Sequence, residues 1–146
     1  MCKNIGRIFL SGVIFAVIAQ IIHTFASMLS MSFYTDPNYF SVWSKMMMPT
    51  AGPPPVSFTI YALLFSFVGG VLFALVYDVV KKSVKKKTAL KTGLFYGLLV
   101  FLVAGIPSSL SLILLINLPA ALITIWAVSE LVIYLLNGIL AVKLLR

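Results

Sequence analysis

LFYGLLVFLVAGIPSSLSLILLINLPAALITIWAVSELVIYLLNGILAV, residues 94–142, is 49 residues long and carries one charge, Glu130. A helix needs about 20 residues to cross the ~30 Å hydrocarbon core of a bilayer. The stretch is therefore too long for one crossing and long enough for two. Asn117-Leu118-Pro119 divides it, because proline opens a helix more readily than it continues one. One helix is expected over residues 94–116 and another over 119–142, with Pro107 kinking the first.

Two more apolar stretches precede this one. Residues 8–29 follow Lys3 and Arg7. Thr24-Phe25-Ala26 has the look of a signal-peptide cleavage site, but the apolar run continues past it to Leu29, so a retained transmembrane helix is expected. Residues 58–80 contain only Asp78 as a charge, open after Pro53-Pro54-Pro55 with Ser57 as the expected N-cap, and end at Lys81-Lys82. Composition agrees with four crossings. Hydrophobic residues make up 62% of the 146 and charged residues 10%, against about 45–50% and about 25% in soluble domains. A soluble domain of this size has too much surface to hide so much apolar area, and a disordered chain is polar and charge-rich. The fold class is all-α: a polytopic integral membrane protein, one membrane domain over residues 1–146, built as a four-transmembrane-helix bundle.

The basic residues give an orientation. Lys3 and Arg7 precede the first helix, the loop 81–91 carries Lys81, Lys82, Lys85, Lys86, Lys87 and Lys91, and Lys143 and Arg146 close the chain. Four crossings put all of these on one side and leave only Lys45 on the other. By the positive-inside rule both termini and the Lys-rich loop are cytoplasmic, which makes this a multi-pass protein of the cell membrane. The six loop lysines set topology and would also attract anionic lipid headgroups. No nucleic-acid partner is expected despite the net charge of +8, because no folded basic surface with interleaved aromatics accompanies them.

The external loop 30–57 is expected to hold a short interfacial helix over 37–48, opened by Asp36-Pro37. Tyr34, Tyr39, Phe40 and Trp43 belong at headgroup level, where an aromatic ring keeps one wet and one dry side.

Helices in lipid associate through close backbone approach and buried hydrogen bonds. Each stretch carries a stripe of small residues suited to this, with Gly12, Gly70, Gly93, Gly97 and Gly138 as the expected packing glycines, and with Ala104 and Ser108 continuing the third stripe. The polar residues on these stripes are fewer and more informative. Glu130 lies deep in the fourth helix, where a carboxyl group is either protonated or partnered. Gln20, His23, Tyr134 and Asn137 are its candidate partners, Gln20 foremost because its depth in the first helix matches.

No enzyme is expected: H-E-x-x-H, a phosphate-cradling glycine loop and G-x-S-x-G are all missing. The lone Cys2 excludes an intramolecular disulfide. Five of the six methionines (Met28, Met31, Met46, Met47 and Met48) gather at the external side. Thioethers suit Cu(I), yet methionine also fills gaps at apolar surfaces, and no metal or cofactor is expected. The leading function is a self-associating bundle or an accessory subunit of a larger membrane complex. The alternative is a minimal proton or cation pathway through Glu130, and a lipid-modifying enzyme comes third.

Overall fold

The computed structural model describes residues 4–50 and 53–145; Cys2, Lys3 and Arg146 lie outside these residues. Three uninterrupted helices of 25 residues each are α1 (Ile5–Leu29), α3 (Val56–Val80) and α6 (Ala120–Leu144). The remaining crossing, Ala89–Leu115, is composite: α4 (Ala89–Val100), a π-helical turn (Phe101–Gly105) and α5 (Ile106–Leu115). Between α1 and α3 lie the single turn α2 (Met31–Tyr34) and a 3-10 turn (Pro37–Val42). Four helices are thus long and apolar enough to span a membrane, with mean hydropathy from 1.9 to 2.5. Hydrocarbon offers the backbone no hydrogen-bond partner, so such stretches satisfy themselves as helices.

Several local expectations need correction. The Lys-rich loop ends at Thr88, whose hydroxyl accepts from the Lys91 backbone N–H at 3.2 Å and caps α4, so Lys91 is helical. Ser57 does not cap α3; the helix starts at Val56 after Pro55, since proline's fixed φ suits a helix boundary. Asp36 does cap its turn, accepting from Asn38 N at 2.9 Å, but the helix expected over 37–48 stops at Val42. Trp43 turns extended there, which carries its ring onto Tyr34 and Trp126.

Pro107 acts through the π turn that precedes it. Proline has no N–H to offer the carbonyl four residues back and crowds it as well, and the wider turn at Phe101–Gly105 takes up that conflict. The inserted residue rotates the packing face, so Gly105 is buried and Ala104 is exposed, reversing the expectation for that stripe.

The helices pack in the order α3, α1, α6, α4, with α1 against both α3 and α6 and α6 against α4. Missing side chains allow the close approaches. A Cβ on Gly97 would run into the Tyr134 carbonyl oxygen, and one on Gly138 into that of Gly93. At the α1–α3 seam, a Cβ on Gly70 would lie 3.0 Å from the Gly12 Cα. All five expected packing glycines therefore lie at helix contacts.

One half of the bundle is closed and the other is not. Toward the Lys-rich end, Phe15, Phe73, Tyr77, Tyr96 and Tyr134 form an aromatic core in which the Phe73 and Tyr134 rings stack at 5.9 Å and 12°. The same end is tied by polar contacts. Asp78 pairs with Lys81 at 2.8 Å and accepts from Asn4 at 3.3 Å, while Lys81 and Arg7 donate to the carbonyls of Leu145 and Leu144. The start of α1 and the ends of α3 and α6 thus meet at one end, as an even number of crossings requires. Toward the opposite end, α5 buries no residue and α3 buries none before Gly70.

Candidate functional site

The open half holds a pocket of about 200 Å³ lined by His23 of α1, Ser108, Ser109 and Leu112 of α5, and Trp126, Ala127 and Glu130 of α6. Glu130 lies ten residues into α6, which places it ~15 Å along the helix at 1.5 Å per residue. It reaches the pocket because the third crossing, turned by its π segment, sets Ser108 and Ser109 opposite α6. Both serine hydroxyls donate to the Gly105 carbonyl, at 2.9 and 2.8 Å, so each presents only lone pairs for further bonding. Glu130 itself is half-buried, and its Oε2 is buried with no hydrogen-bond partner among the described residues. An orphaned buried oxygen of this kind carries a desolvation penalty that a partner would relieve.

An aromatic assembly stands over the pocket. Trp126, one turn before Glu130 on the same helix, donates its indole N–H to the Tyr34 hydroxyl at 2.9 Å. Trp43 packs on both, 5.0 Å from the Tyr34 ring and 6.3 Å edge-on to Trp126. The loop after α1 therefore reaches back to the second turn of α6. The Trp43 indole nitrogen is also buried without a partner among the described residues.

The expected polar cluster divides four ways. His23 and Glu130 share the pocket. Tyr134 sits one turn nearer the Lys-rich end, in the aromatic core. Asn137 is buried a further turn on and donates to the Ile133 carbonyl of its own helix at 2.9 Å. Gln20 does not line the pocket: its amide donates to Thr24 Oγ1 at 3.4 Å, and Thr24 donates back to the Gln20 carbonyl. Equal depth does not set rotation. Residues three apart differ by about 60° around a helix, and the arc that faces α5 is that of His23. Ser109, Leu112 and Trp126 were missed from the sequence, though Trp126 at i−4 from Glu130 was a readable signal.

At the other end of the molecule the six lysines also divide. Lys81 is engaged with Asp78, and the Lys86 ammonium sits 3.9 Å over the Phe95 ring. Lys82, Lys85, Lys87 and Lys91 are exposed.

No protein-family model, curated protein or solved structure matches the chain.

Proposed function

We propose that this is a non-enzymatic multi-pass protein of the cell membrane that binds a proton or a cation at Glu130, with both termini and the Lys-rich loop cytoplasmic. The observation that supports the site is the unpartnered Oε2 of Glu130 in a pocket lined with His23, Ser108 and Ser109. Ionisable residues placed inside a membrane bundle mark ion and proton sites by default. The aromatic core lies between this pocket and the Lys-rich end. That separation favours uptake and release at one site over an open pore. The exposed Lys82, Lys85, Lys87 and Lys91 favour anionic lipid headgroups as neighbours of the cytoplasmic face.

Proton titration of the purified protein tests the reading. The wild type is expected to take up one proton more than Glu130→Gln across the titration. Superimposable titration curves for the two proteins would remove Glu130 as the site.

A second reading, self-association, has its own support. The second and third crossings bury only 17% and 6% of their apolar windows inside the chain, against 33% for the first and fourth. A groove of about 360 Å³ between α1 and α6 is floored by the small Ala26 and Ser129 and flanked by Phe25 and Val128. Small residues flanked by large ones suit a helix of a second copy. Mass measurement in nanodiscs, with Ala26→Trp to fill the groove, should show a dimer that the variant loses. A wild type that is monomeric at every protein-to-lipid ratio removes this reading.

A further inference from the structure

The groups around Glu130 define a ligand narrower than any cation. We propose that the pocket binds the ammonium group of a lipophilic amine, an inference that rests on Glu130 being the cation site proposed above. Hard inorganic cations such as Ca²⁺ and Mg²⁺ need six or more oxygen ligands in place of their water. The pocket offers one carboxylate, two serine hydroxyls whose protons are already committed to the Gly105 carbonyl, and the His23 imidazole. That set is too small to strip a strongly hydrated ion. An organic ammonium is weakly hydrated and needs no coordination shell, only a counter-ion and apolar or aromatic surface.

Both are present. Glu130 supplies the counter-ion, and Trp126 supplies an indole, the best of the aromatic faces for a cation. The Trp126 ring is held in place by its bond to Tyr34 and by the edge contact with Trp43. Leu112 and Ala127 give the carbon surface that alkyl groups on nitrogen would meet. Size narrows the ligand again, since about 200 Å³ is below the roughly 300–1,000 Å³ of pockets that enclose a drug-sized molecule. It suits a head with its substituents. At ~15 Å along a helix apolar enough to span a membrane, the pocket favours a lipophilic ligand.

At a pH where Glu130 holds its proton, binding conserves charge by exchange. The carboxyl O–H bond breaks, the proton leaves to water, and the ammonium takes its place beside the carboxylate; no electrons move. Among the described residues, His23 is the other titratable group that lines the pocket, and the Tyr134 phenol lies within electrostatic reach of Glu130 on the same helix; α5 contributes only serines and leucine. A proton on His23 opposes the ammonium just as a proton on Glu130 does, so acid weakens binding through both groups.

The chain has two tryptophans, Trp43 and Trp126, and both lie in the ring assembly, so intrinsic fluorescence reads the site directly. The experiment uses the full-length protein in nanodiscs with benzyltrimethylammonium and its uncharged carbon isostere, neopentylbenzene. Benzyltrimethylammonium should change the emission saturably and bind about tenfold or more weakly to Glu130→Gln. Acid should weaken its binding to the wild type. Equal responses to the ammonium and to neopentylbenzene would overturn the proposal, as would binding that acid does not weaken. Should Glu130→Gln fail to fold, the comparison of the two probes and the pH series on the wild type still decide. A Glu130-dependent proton titration together with no ammonium response would sink this inference and leave the proton-site reading standing.

Discussion

The phenol of Tyr96 on α4 donates to the carbonyl oxygen of Phe73 on α3 at 2.6 Å. This bond joins the two crossings at the ends of the helix row, whose backbones hardly approach each other. Tyr96 is fully buried, with its ring 4.8 Å from Phe73 and 5.2 Å from Tyr77. The contact therefore closes the Lys-rich half of a bundle that is open at its other half.

Tyr96→Phe keeps the ring and removes only the donor. Inter-helix hydrogen bonds in membrane proteins average about 0.6 kcal/mol and reach about 1.7 kcal/mol, so a loss within that range is expected from unfolding in mixed micelles. Tyr96→Ala also leaves a cavity and should lose about 3–5 kcal/mol. A Tyr96→Phe protein as stable as the wild type would show that ring packing alone closes the bundle.

The α4–α6 seam should tolerate no added carbon. Gly97→Ala drives its Cβ against the Tyr134 backbone, which a flexible side chain cannot relieve, and a loss of about 2–3 kcal/mol is expected. Gly69→Ala meets nothing within 4 Å and should gain about 0.5–1 kcal/mol from helix propensity. Thermal unfolding of the pair in one detergent gives the contrast, and equal shifts would contradict the seam.

The bond from Trp126 to Tyr34 holds the loop against α6. Tyr34→Phe should leave the four crossings intact while loosening residues 35–50. The expected readings are a red-shifted tryptophan emission and faster proteolysis in that segment. Unchanged cleavage would mean that ring packing among Tyr34, Trp43 and Trp126 suffices without the bond.

Orientation follows from charge alone and is open to a direct test. In a Cys2→Ser background, a cysteine replacing Ser83 should be protected from an impermeant thiol reagent in intact cells, and one replacing Ser44 should react. Reaction at position 83 would invert the topology.

What the sequence determined by itself was the set of properties that depend on a helix one at a time. Hydropathy along the chain specified four crossings, because a bilayer compels any sufficiently long apolar stretch to satisfy its own backbone. The glycines at 12, 70, 93, 97 and 138 were readable as contact points for the same local reason: a missing Cβ permits close approach whichever helix comes near. Rotation about each axis, and which helices become neighbours, belonged to the tertiary structure. The π turn ahead of Pro107 shifted the packing face by one residue, exposing Ala104, burying Gly105 and adding Ser109 to the pocket beside Ser108. His23, and not Gln20, came to share that pocket with Glu130, because depth is a property of one helix while facing direction is a property of a packed pair. The Trp43 ring came to pack on Trp126, a contact between residues far apart in sequence, where the 3-10 turn ends.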